Sequence, residues 1–169
     1  PIAVALSRQQ IPRVKELGSE YCLSKLNKEE KTFAKHILGE GTDMEKKIVL
    51  WCIQNKIALQ NRLADWLIIS YEELTCFPDE TLLKIFKHCK LNNLGLMHKN
   101  INIPSAVTIQ SDDKNIELMK KGNFSRKNLI NKWRDKVSNS EKNRYFEICE
   151  KMNFKVYNET TIIPNFELI

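Results

Sequence analysis

The sequence predicts an α/β domain, mostly helical with one buried strand. Two observations carry that expectation. Apolar residues recur at helical spacing along most of the chain, between capping and breaking residues. One run, Trp66-Leu67-Ile68-Ile69-Ser70-Tyr71, is nearly continuous in its apolarity instead. Such a run suits a strand buried on both faces, as in a parallel sheet covered by helices. The length of 169 residues is that of one domain, and a chain near this size can bury roughly 68–70% of its unfolded surface.

In order, Pro1 to Leu17 reads as a helix. Proline suits a first turn, Pro12 ends or kinks the pattern near Ile11, and Leu17-Gly18 is a stop. Leu26, Phe33, Ile37 and Leu38 predict a second helix that Gly39 and Gly41 end. Asp43 is a cap for a long helix from Met44 to about Leu63, with Ile48, Trp51, Cys52 and Leu59 as its apolar stripe. The expected strand, Trp66–Ser70, follows, and Tyr71-Glu72-Glu73-Leu74 stands at its C-terminal end, where ligands bind in open α/β sheets.

Pro78 and Asp79 open another helix, with Leu82, Phe86 and Cys89 facing inward. Residues 94–118 lack a period and read as an irregular segment, of a length usual for a functional lid or a mobile segment. Ser138 and Glu141 make the S-x-x-E capping box of a last helix that carries Tyr145, Phe146, Cys149 and Met152 on one face. The tail from Lys155 reads as an edge strand or a loose end.

Charge is distributed unevenly. Lys120–Lys136 holds seven Lys or Arg and one Asp, a net of +6, which is also the net charge of the whole chain. The other 152 residues cancel, which suggests a local site for an anion rather than a generally basic surface. A hydrophobic fraction of 42% beside 28% charged residues is that of a soluble globular protein. No apolar run approaches the ~20 residues that span a bilayer, and the N-terminus does not read as a signal peptide. The expected location is cytoplasmic, with no membrane partner.

The five cysteines, Cys22, Cys52, Cys76, Cys89 and Cys149, form no C-x-x-C pair and read as free thiols in a reducing compartment. Two N-x-S/T triplets, at Asn123 and Asn158, read as chance. His36, His88 and His98 lie far apart without metal-like neighbours, and the five glycines never cluster into a phosphate loop. No metal and no catalytic constellation is expected.

Three segments in order resemble the C-terminal half of the sulfotransferases that use 3′-phosphoadenosine 5′-phosphosulfate (PAPS). Pro1-Ile2-Ala3-Val4-Ala5-Leu6-Ser7 is similar to that family's 3′-phosphate motif, R-[ND]-P-x-x-x-x-x-S, entered at its Pro. Tyr71-Glu72-Glu73-Leu74 resembles its Y-E-[DE]-L element. Ser125-Arg126-Lys127-Asn128, leading to Trp133-Arg134, resembles its R-K-G-x-x-G-x-W loop.

The resemblance implies a three-layer sulfotransferase fold, related to P-loop nucleotide kinases, of which residues 1–169 would be the C-terminal portion. It implies transfer of a sulfuryl group from PAPS to an acceptor hydroxyl or amine on a small molecule or glycan. Ser7, Arg126 and Lys127 would grip the 3′-phosphate, Tyr71 would reach the adenine, and Trp133 would pack under the loop. Asn128 and Asn131 stand where the family has Gly, so the loop match is imperfect. Asn tolerates left-handed backbone angles better than most residues. The family's phosphosulfate loop, catalytic base and motif Arg precede the part matched here, so the upstream half of the same domain is the expected partner and the segment alone is expected to be inactive.

The residues also allow bland readings. Ser7 suits a plain helix serine, Tyr71 a strand-end hydroxyl, and Arg126 with Lys127 a solvated face. The alternative from another class is a non-enzymatic helical module that binds nucleic acid or an acidic partner through Lys120–Lys136.

Overall fold

Ser19 begins the described chain by capping a helix. The structure, a computed structural model, describes residues 19–101, 130–157, 161 and 163–168. They fall into two units, one drawn from residues 1–66 and 131–169, the other from 67–130.

In the first unit, α1 (Glu20–Leu23) is a single turn whose N-cap, Ser19, accepts the Cys22 N–H. Next is α2 (Lys28–Glu40), started by a reciprocal box. The Glu30 N–H donates to Asn27 Oδ1 at 2.9 Å, and the Asn27 N–H donates to Glu30 Oε2 at 3.2 Å. The helix ends where the Gly41 N–H bonds the Ile37 carbonyl at 2.8 Å. A Cβ at Gly41 would stand 2.7 Å from that carbonyl oxygen and 2.9 Å from Ile37 Cγ2, so the close turn requires glycine for space and not for its φ of −69°.

The central helix is α3 (Asp43–Gln60), which packs against α1, α2 and α7 (Asn139–Lys151). Its six consecutive residues Ile48 to Ile53 are all buried, a wider apolar surface than a single stripe. All of them except Leu50 share one core cluster with Ala34 and Ile37 of α2, Ile148 and Cys149 of α7, and Met152 just past the end of α7. Trp51 meets the ring of Phe154 edge-on at 5.1 Å and that of Tyr157 at 5.8 Å. These geometries add to the burial of the rings themselves. A 3-10 turn, Lys132–Lys136, precedes α7, and Ser138 with Glu141 forms the expected box at its start. Beyond α7 the chain turns through Asn153, a left-handed position (φ 48°) that Asn tolerates.

The second unit holds α4 (Tyr71–Cys76), α5 (Pro78–His88) and α6 (Leu94–Asn100), with α5 packed on both others. Ser70 caps α4, Pro78 stands in the first turn of α5, and Asn93 caps α6. Thr81 is fully buried, and its hydroxyl donates to the carbonyls of Phe77 (2.6 Å) and Glu73 (3.2 Å), which ties α5 to α4. Leu82 is the one buried apolar side chain among the described residues of this unit.

The expected α/β architecture is overturned. Among the described residues there is no strand and no sheet, so neither a three-layer sulfotransferase fold nor a buried strand at Trp66–Ser70 is present in them. Apolarity favours burial but does not supply the neighbouring strand that backbone N–H and C=O groups need, and the described residues provide none. Trp66 is 54% exposed and Leu67 36%.

Smaller differences are local. Thr42, not Asp43, caps α3, because its hydroxyl and Glu45 form a box. Tyr71-Glu72-Glu73-Leu74 opens a helix instead of following a strand, since Ser70 Oγ accepts the Glu73 N–H at 2.9 Å. Leu94–Asn100, expected to be irregular, is helical; residues 102–118 lie outside the described part, as does the expected helix Pro1–Leu17. Cys89 faces outward. The described tail carries a 3-10 turn, Phe166–Leu168, and no edge strand.

Candidate functional site

Of the five site residues expected from sequence, Tyr71 alone lies among the described residues; Ser7, Arg126, Lys127 and Asn128 lie outside them. No distance between any two of the five is therefore defined. Tyr71 stands at the first position of α4, and the residue is 66% exposed. Its helix is held at its start and in its middle. Ser70 caps the start, and the Thr81 hydroxyl ties the Glu73 carbonyl to α5. The Glu73 carboxylate pairs with Lys84 across the same two helices. An exposed phenol ring on an anchored turn can receive a planar apolar face such as a nucleobase.

The described end of the basic stretch belongs to the first unit. Trp133 is half-buried and packs against that unit's core. The Arg134 guanidinium lies 5.1 Å from the Trp133 ring centroid, and its Nε donates to Asn131 Oδ1 at 3.2 Å. A stacked, hydrogen-bonded arginine is oriented before any anion arrives. Lys136 is exposed.

Behind this end, α7 is fastened to α3 by charge. Arg144 Nε donates to Glu45 Oε1 at 2.7 Å and its Nη1 to Glu147 Oε2 at 2.9 Å. The Thr42 backbone N–H, then Arg144, holds the Glu45 carboxyl below the usual range, and the two carboxylates push Arg144 up. The N–H of Ser138 lowers Glu141 in the same way.

Two features had no signal in the sequence. Lys56 and Glu30 form an ion pair with side chains only 5% and 3% exposed, and Lys56 Nζ also donates to the Met152 carbonyl at 3.3 Å. Glu30 is legible as the partner in a capping box, but its second oxygen on a buried lysine is not. Cys52 and Cys149, 97 positions apart, bring their sulfurs to 3.9 Å inside the core. Among the described residues no group of three or more His, Cys, Asp or Glu is placed to hold a metal ion, and no helix is long and apolar enough to cross a membrane. No family model, curated protein or solved structure matches the chain.

Proposed function

We propose that this chain supplies donor-nucleotide contacts in a sulfotransferase that moves a sulfuryl group from PAPS to an acceptor hydroxyl or amine of a small molecule or glycan. The observation that carries the reading is the order of three segments, Pro1–Ser7, Tyr71–Leu74 and Ser125–Trp133, each similar to a different nucleotide-contacting element of that family. PAPS brings the sulfuryl group, and the residues here bind and orient the nucleotide. Arg126 offers a planar fork and Lys127 a point charge to the 3′-phosphate, Ser7 adds a hydroxyl, and Asn128 adds its backbone N–H. Tyr71 fits the adenine role, since its ring is exposed on an anchored turn.

The absence of strands among the described residues favours a second reading, in which a helical module binds nucleic acid or an acidic partner through Lys120–Lys136. Calorimetric titration with 3′-phosphoadenosine 5′-phosphate and with AMP separates the two. The first reading expects tighter binding of the 3′-phosphorylated nucleotide. It also expects Arg126→Ala to weaken that nucleotide at least tenfold, about 1.4 kcal/mol or more, with a much smaller loss for AMP. Equal losses for both nucleotides, or binding only to a nucleic acid with a steep salt dependence, would refute the first reading.

A further inference from the structure

We infer that Cys52 and Cys149 form a peroxide-responsive dithiol whose oxidation to a disulfide pins α7 to α3. The two sulfurs lie 3.9 Å apart in the core of the first unit, and both residues are buried. They stand on facing helices, so the sulfurs need to close by about 2 Å to reach disulfide bonding distance. The other three cysteines are placed differently: Cys22 and Cys76 are half-buried, and Cys89 is exposed.

The two thiols are not equivalent. Burial pushes the Cys52 thiol up, and its hydrogen bond to Cys149 adds to that. The same hydrogen bond, received from Cys52, lowers Cys149 against its own burial. Cys149 is therefore the thiol that ionises first, and the thiolate is the nucleophile. It also lies nearer a helix end. Its carbonyl accepts the Phe154 N–H at 2.9 Å, and the carbonyl of Met152, just past the end of α7, accepts from Lys56. Both thiols are buried, so oxidation requires local opening of that last turn to admit the oxidant.

The chemistry balances with hydrogen peroxide as the co-reactant. Cys149 loses its proton to solvent, and its sulfur attacks one peroxide oxygen. The O–O bond breaks, hydroxide leaves and takes up a proton as water, and Cys149 becomes a sulfenic acid. The Cys52 sulfur then attacks the Cys149 sulfur. The S–S bond forms, the S–O bond breaks, and hydroxide leaves with the Cys52 proton as water. Two thiols are oxidised, and one peroxide is reduced to two waters. The link closes the chain between positions 52 and 149, so the parts of the first unit drawn from the two ends of the sequence become covalently joined.

The test uses the full chain, folded and treated with hydrogen peroxide, then blocked with N-ethylmaleimide and digested with trypsin. Expected is a linked pair of peptides, Ile48–Lys56 with Tyr145–Lys151, that dithiothreitol separates. The urea midpoint of the oxidised protein should rise by about 1 M or more above that of the reduced protein. A C22A/C76A/C89A variant should behave alike, and if it fails to fold, peptide mapping of the unsubstituted protein gives the answer. Thiols that stay reduced in the folded protein but oxidise after denaturation would overturn the inference. So would oxidation of Cys149 to sulfinic acid without a link, or a link that leaves the midpoint unchanged.

Discussion

Replacing Lys56 by Met tests what holds the first unit together. Methionine keeps most of the length and apolar stem of lysine, so packing changes little. What is lost is the ammonium that meets Glu30 and the Met152 carbonyl. Glu30 keeps one hydrogen bond, from the Asn27 N–H to Oε2, but Oε1 loses its partner inside the protein. Removing one member of a buried pair typically costs about 3–5 kcal/mol, because the other charge stays buried and uncompensated. Side chains 5% and 3% exposed leave almost no solvent to screen that charge, so the full range applies. With a urea slope of about 2 kcal/mol per molar, the midpoint should fall by roughly 1.5–2.5 M. The assay is urea unfolding followed by the fluorescence of Trp51, which is 9% exposed in the same core, alongside circular dichroism. The double variant Lys56→Met/Glu30→Gln should recover at least about half of the loss, since Gln can still accept the Asn27 N–H while no charge remains. A Lys56→Met protein within about 1 kcal/mol of the original, or a double variant no better than the single one, would refute the argument.

Three further outcomes follow from single contacts. Gly41→Ala should destabilise by about 1–3 kcal/mol by urea titration, since the new Cβ meets a backbone oxygen at 2.7 Å that cannot swing away. Thr42→Ala should cost about 1 kcal/mol by the same measurement, because the hydroxyl that receives the Glu45 N–H disappears. The Glu20 carboxyl is lowered to about 2 by hydrogen bonds from Lys31 and then Lys35. A carboxylate depressed in the folded state adds stability above its unfolded value, and that stability is lost as pH falls toward about 2. Side-chain titration by NMR should show Glu20 still charged at pH 3, and Lys31→Ala with Lys35→Ala should return it toward the ordinary range.

Helices were legible where caps and periodicity agreed. Ser138 with Glu141 announces α7, and Ile37 with Leu38 before Gly39 and Gly41 announces the end of α2 to within two residues. Short helices were not legible. α1 has four residues and α4 six, too few for a period to show, and each starts from a serine cap that also suits a turn. The cap of α3 was misplaced by one residue because Thr42 and Asp43 are both good caps, and only Glu45 three positions after Thr42 decides between them. At the candidate site, the local setting of Tyr71 was misread: it opens a helix, exposed, rather than ending a strand.

Residues 66–71 show where composition misleads. Trp66, Leu67, Ile68 and Ile69 have the side chains of an interior strand, but side-chain preference in sheets reflects packing against neighbours rather than the backbone alone. The described second unit offers few such neighbours: Leu82 is its one buried apolar side chain, while Tyr71, Phe77, Leu83, Leu91 and Leu96 are exposed. The first unit is the opposite case. There α3 packs against three other helices, and the same residue types that are exposed or only half-buried at 66–69 are buried at 48–53. Burial is thus a property of what packs on a segment, and a largely apolar run can record a demand for cover without showing that the chain supplies it. Hydrogen exchange separates the two: Ile53 should be protected through the global unfolding of its unit, whereas Ile68 and Ile69 should exchange fast, and protection at 68–69 matching that at 53 would mean that this run is covered after all.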